Sequence, residues 1–112
     1  MEAFEFVTAI RQRVVENDNK TYHDLLESDD SPQDSVWRAI YSIYKSLSKE
    51  QQKDFLLFLR LIQTNTISHV FGILDGSTYL NNYRESFVLK TESDNMVING
   101  DLQDLFLEME EM

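Results

Sequence analysis

The sequence predicts an α+β domain that is mainly α: helices packed around one long, kinked central helix, with a small β-hairpin before a C-terminal helix. Three observations predict it. Apolar residues recur at spacings of three and four over most of the chain, which is the helical period. The longest apolar tract, Asp54–Gly76, closes with Leu-Asp-Gly, and a glycine just past the last periodic residue is a helix stop. Beyond it the pattern changes to two short β-branched and aromatic runs flanking the turn composition Glu92-Ser93-Asp94-Asn95. Helices followed by strands, without alternation, argue against a parallel sheet.

Glu2–Glu16 carries Phe6, Ala9, Ile10 and Val14 on one stripe and acids at its N-terminus, which predicts a first helix. Asn17-Asp18-Asn19 predicts its end. Lys20–Ser28 predicts a shorter helix with Tyr22, Leu25 and Leu26 as its apolar side. Ser31 is placed to be the next N-cap, with Pro32 in the first turn and Asp34 at the capping-box position, and that helix extends to about Leu47. Its Trp37, Tyr41 and Tyr44 form an aromatic ridge.

Ser48 with Gln51 is a second capping box, opening the central helix. There Phe55, Phe58, Leu59 and Ile62 make one stripe, and Leu56 and Leu57 carry apolarity nearly all round. A helix apolar on most sides is expected in the middle of a structure. Unbroken from Lys49 to Leu74 it would span about 39 Å. Thr64-Asn65-Thr66 are poor helix formers, so a kink or break is expected there. Gly76 suits the left-handed cap. Tyr79, Leu80 and Tyr83 are expected to tether the polar stretch Ser77–Arg84. Phe87–Thr91 and Met96–Ile98 predict the hairpin, which needs a helix behind it. Asp101–Glu111 predicts the last helix, with Leu102, Leu105, Phe106 and Met109 inward and Asp104, Glu108 and Glu111 opposite.

A chain of 112 residues is expected to be one domain, 1–112. Its mass of 13.2 kDa predicts a folded surface of roughly 6,400 Å². Without cysteine there is no disulfide and no thiolate site. The acidic start Met-Glu-Ala-Phe-Glu-Phe lacks the basic region of a signal peptide. Phe55–Ile62 contains Arg60 and falls far short of the roughly 20 apolar residues that cross a bilayer. The expectation is a cytoplasmic protein.

Catalytic patterns do not emerge. Three glycines supply no phosphate loop, and there is no Gly-x-Ser-x-Gly or His-Glu-x-x-His. A calcium loop centred on Gly100 fails, because it would place Val97 and Phe106 at ligand positions. Ser68, His69 and Asp75 include the parts of a nucleophilic set, but helix neighbours Ser68 and His69 point about 100° apart. His23 and Glu27 share a face without further ligands nearby in sequence. No catalytic residue, metal site or cofactor is expected.

Charge is the strongest global signal: 20 acids against 10 bases give a net charge of −10. Such a field repels nucleic-acid phosphates and anionic membranes, and it favours encounter with a basic protein. The acids concentrate in two segments. Glu16–Asp34 holds Asp29, Asp30 and Asp34, and Glu92–Glu111 holds Asp94, Asp101, Asp104, Glu108 and Glu111 with no base. Side by side they would form one negative face; apart, they are two solvated helix surfaces.

The leading expectation is a non-enzymatic protein-binding module that docks a basic protein, most concretely a bacterial immunity protein that blocks a nuclease toxin. The alternative is a structural or regulatory subunit that self-associates, or binds a partner helix, through the Trp37-Tyr41-Tyr44 ridge. The plainer reading of that ridge is core, with the tyrosine hydroxyls reaching the surface. The sequence leaves open the partner's identity and the oligomeric state.

Overall fold

The computed structural model describes residues Met1–Glu111. The first helical rod joins three stretches: α1 (Ala3–Ile10), a π-helical segment (Arg11–Asn17) and α2 (Asp18–Glu27). Glu5 accepts a bond from the Glu2 amide at 3.4 Å, which settles an acid on the N-terminal dipole. The Asn17-Asp18-Asn19 stop does not occur: Asn17 and Asp18 keep right-handed helical backbone angles (φ −68 and −69). Three side-chain pairs spaced five apart span the π segment. Arg11 meets Glu16 at 3.6 Å, Gln12 bonds Asn17 at 3.0 Å, and Arg13 bonds Asp18 at 3.1 Å. In an α-helix residues five apart point about 140° away from each other, so only the slower π winding lets these pairs close.

That winding also repairs the apolar stripe. Val7 and Val15 are both fully buried, yet eight α-helical steps would leave them about 80° out of line. The wider π turns take up most of that offset. Leu26 then continues the buried line into α2.

α3 (Ser35–Ser46) starts later than the Ser31 cap predicts. Asp34 itself is the N-cap, accepting from the Trp37 amide at 3.0 Å. The Arg38 guanidinium donates to the Pro32 and Gln33 carbonyls and so holds the preceding loop. α4 (Lys49–Asp75) opens with the expected reciprocal box, Ser48 with Gln51, and closes on Gly76 in the left-handed region (φ 88). The break at Thr64–Thr66 does not occur, since α4 is one helix of 27 residues. Thr64 and Thr66 turn their hydroxyls back onto the Leu61 and Ile62 carbonyls, at 3.1 and 2.7 Å. The propensity loss of these three residues is about 2 kcal/mol, and helices packed along both halves of α4 outweigh it.

α5 (Leu102–Glu111) runs back along the C-terminal half of α4. The Asp75 carboxylate, at the end of α4, accepts from the amides of Gly100 (2.7 Å), Leu102 (3.2 Å) and Gln103 (2.8 Å). A carboxylate badly placed for the α4 dipole thereby caps the N-terminus of α5. Gly72 permits the close approach there: a Cβ at that position would meet Gln103 Nε2 at 3.0 Å.

The core lies where α1, the π segment, α4 and α5 meet, built from Val7, Val15, Phe71, Ile98, Leu102 and Phe106. Phe71 sits edge-on to Phe106 at 5.7 Å between centroids. The opposite half of α4 packs more thinly, on α2 and α3, with Tyr44 against Phe55 at 5.8 Å. The molecule is correspondingly long, 49 × 31 × 29 Å.

Among the described residues no strand forms, so the expected hairpin and the α+β class are corrected to an all-helical fold. Leu89 and Ile98 do face each other, through one bond from the Ile98 amide to the Leu89 carbonyl at 2.8 Å. The rest of the ladder is intercepted by the Asn99 side chain. Its Oδ1 accepts from the Leu89 amide, and its Nδ2 donates to the Phe87 and Leu74 carbonyls. With those groups satisfied by one side chain, no second strand can pair there. Tyr79, Leu80 and Tyr83 do not tether their segment either; all three are exposed, with Leu80 and Tyr83 forming an isolated bridge.

Candidate functional site

α4 is apolar nearly all round, but only part of that surface is covered. Its C-terminal half is enclosed: Phe71 and Gly72 are buried, and Ser68 is buried beneath Gln103. Along the N-terminal half, α2 and α3 take one side and leave the other open. Leu57 (65% exposed), Phe58 (56%), Leu61 (53%) and Ile62 (48%) lie there with no cover. At about 100° per residue, Asp54 and Asn65 fall on the same side and bound the patch at either end. On α3, which packs beside this half, Val36 and Ile43 are also exposed. Central burial on most sides, expected of this stretch, is therefore corrected.

The accessible surface is 8126 Å², about 1,700 Å² above the roughly 6,400 Å² expected for a chain of this mass. The radius of gyration is 17.4 Å, against about 13 Å for a compact domain of this length. Exposed apolar side chains lie on α3, along the open half of α4 and in segment 79–97. Exposed apolar patches rimmed by polar residues mark interaction surfaces.

On the flank of this face, between α2 and α4, runs a groove of about 570 Å³ floored by Leu56 and Leu57. Lys20, His23, Lys53 and Arg60 line it. Arg60 bonds Glu16 at 3.0 Å and Glu110 at 3.3 Å, while Arg11 bonds Glu110 at 2.8 Å. Burial alone would lower the Arg60 guanidinium, but the two carboxylates outweigh it and raise its pKa. This cluster is where the two acidic segments meet, and there Glu16 and Glu110 are neutralised.

The remaining expected acids do not converge. Asp29 and Asp30 are exposed in the loop before α3, and Asp34 caps it. Asp94 holds the Met1 ammonium at 2.8 Å, a bond that lowers the carboxyl pKa. Asp101, Asp104, Glu108 and Glu111 are all exposed on or just before α5, and none forms an ion pair among the described residues. Since α3 and α5 pack on opposite halves of α4, these acids make two patches instead of one face.

The aromatic ridge turns inward. Trp37 packs on Tyr22 at 5.2 Å, and the Tyr41 hydroxyl donates to the Ser28 carbonyl at 2.7 Å. Tyr44 is buried, and its hydroxyl donates to the Glu27 carboxylate. Burial first, and then that carboxylate, push the Tyr44 pKa up to about 12. A raised folded-state value favours the neutral phenol, so the stability it contributes is complete below pH about 10 and is lost as pH rises toward about 12. Tyr44→Phe is expected to flatten this part of the stability–pH curve in chemical denaturation between pH 9 and 12.

The Ser68, His69 and Asp75 parts are not brought together. Ser68 accepts from Gln103 Nε2 at 3.1 Å, Asp75 is engaged with the α5 amides, and His69 is exposed. His23 lies 3.7 Å from Asp24, while Glu27 is bonded to Tyr44. Among the described residues no helix is long and apolar enough to cross a membrane.

The open face of α4 escapes a reading by periodicity, because all-round apolarity looks the same whether neighbours exist to cover it or not. A signal was available in the row Leu57–Leu61, which runs beside the stripe of Phe55, Phe58, Leu59 and Ile62 and widens it beyond what one neighbour can cover. No family model, curated protein or solved structure matches the chain.

Proposed function

We propose that this chain is a non-enzymatic protein-binding module whose α5 surface meets a basic protein, in its most concrete form an immunity protein covering the nucleic-acid cleft of a nuclease toxin. The observation that carries this reading is the state of the α5 acids. Asp101, Asp104, Glu108 and Glu111 project from a segment without a single base, while Glu16, Glu110 and Asp94 are already engaged in ion pairs. An uncompensated patch of this kind accelerates encounter with a positive surface and weakens as salt rises. The test is co-expression with the products of adjacent genes, followed by the triple change Asp101→Lys, Asp104→Lys and Glu108→Lys. A basic partner that co-purifies at low salt and is lost from the variant supports the reading. A partner that binds the variant equally, with unchanged salt dependence, contradicts it.

A second reading is self-association. The uncovered face on α4 favours it, and α4 takes the place of the Trp37-Tyr41-Tyr44 ridge, whose side chains are occupied within the chain. Apolar contact is not screened, so such an assembly persists at high salt.

A further inference from the structure

We infer that the open face of α4 is covered by the α4 of a second copy of this chain, packed antiparallel about a two-fold axis between Phe58 and Leu61. This rests on the self-association reading and gives it a surface, an orientation and a register. The spacing is the first argument. Gln51, Asp54, Phe58, Leu61 and Asn65 follow one another at three and four residues, the seam of a two-helix coil, with Leu57 and Ile62 on its flanks. The apolar pair lies in the middle and the polar positions lie at the ends, so the seam is symmetric about its centre. A two-fold interface requires that kind of self-complementarity.

Charge selects the direction. In a parallel pair Asp54 would oppose the Asp54 of the partner copy, and Glu50 of each copy would lie close by. Two carboxylates facing each other are destabilising. Turned antiparallel, Phe58 packs on the partner's Leu61, and Asp54 faces the partner's Asn65, whose amide can donate to it. The Asp54 and Glu50 carboxylates of each α4 then lie against the other's Asn65-to-His69 stretch, which has no acid.

Among the described residues none covers the face: α3 and α2 pack on the other side of this half, and Glu110 of α5 bonds Arg60.

The absence of cysteine makes the register directly testable. Purified chain is sized by light scattering at roughly 100 μM, well above the micromolar range of modest interfaces, in low and high salt. The expected mass is twice 13.2 kDa in both. Leu61→Glu, at an exposed position that does not threaten folding, is expected to raise the dissociation constant at least about tenfold. The double variant Asp54→Cys, Asn65→Cys is expected to form intermolecular disulfides with oxidised glutathione, while Asp54→Cys alone is not. Within one helix these positions are about 16 Å apart, too far to bridge. A monomer at every concentration overturns both self-association and this arrangement. A dimer that tolerates Leu61→Glu, or that cross-links through Asp54→Cys alone, leaves self-association standing and overturns the antiparallel α4 seam.

Discussion

Phe106→Ala is expected to destabilise the fold by about 3–5 kcal/mol. The Phe106 ring is fully buried and edge-on to Phe71 at 5.7 Å, in the cluster that joins α1, α4 and α5. Removing it takes away both the transfer energy of the ring and the contacts of its neighbours, which sit on rigid helices and cannot collapse into the gap. Domains of this size hold only about 5–15 kcal/mol in total, so the loss is a large fraction of all stability. Thermal denaturation followed by far-ultraviolet circular dichroism is expected to show Tm falling by roughly 10–25 °C. A loss under about 1 kcal/mol, typical of an exposed position, would place the ring outside the core. Phe58→Ala provides that contrast. The Phe58 side chain is half exposed in the single chain, so its loss is expected to weaken assembly more than folding.

Asp75→Ala is expected to be the second most damaging change, at about 2 kcal/mol. One carboxylate serves the amides of Gly100, Leu102 and Gln103, and without it these backbone amides lose their acceptor on α4. Asp75→Asn keeps one acceptor oxygen and surrenders the charge, so about half of that loss is expected. Amide hydrogen exchange separates this from a general loosening. Exchange of the Leu102 and Gln103 amides should accelerate more than that of the Gln51 and Gln52 amides at the far end of α4. Equal acceleration at both ends would mean that Asp75 does not act as the α5 cap.

Local chemistry was legible where one or two residues decide the outcome. The Ser48 and Gln51 box, the left-handed Gly76 and the inward face of Leu102 and Phe106 follow from side-chain reach, from φ preference and from spacing. What escaped depends on distant partners. The π segment replaces a stop because Arg11, Gln12 and Arg13 find partners five residues on, and because a shift of winding keeps Val7 and Val15 on one side. Thr64–Thr66 stays helical because α5 and the π segment pack along α4, a contribution that propensity does not contain. The hairpin fails through one residue, Asn99, whose amide takes the hydrogen bonds that a strand would need.

The candidate surfaces divide in the same way. Acid on α5 was visible as composition, and its exposure follows from the apolar spacing on the opposite face. The neutralisation of Glu16 and Glu110 by Arg60, and of Glu110 by Arg11, was not, since Glu16 lies 44 positions from Arg60, and Glu110 lies 50 from Arg60 and 99 from Arg11. Nor was the open face of α4, which depends on where the neighbouring helices end.

The most direct test of the account is a dilution series of amide nuclear magnetic resonance spectra on the wild-type chain. If α4 is one continuous helix whose open side pairs with a second copy, resonances that move on dilution should cluster at Gln51–Asn65, while those of Leu102–Glu111 stay fixed. Dilution shifts centred on Trp37–Tyr44 or on α5 would contradict it, and so would a loss of helical shifts at Thr64–Thr66.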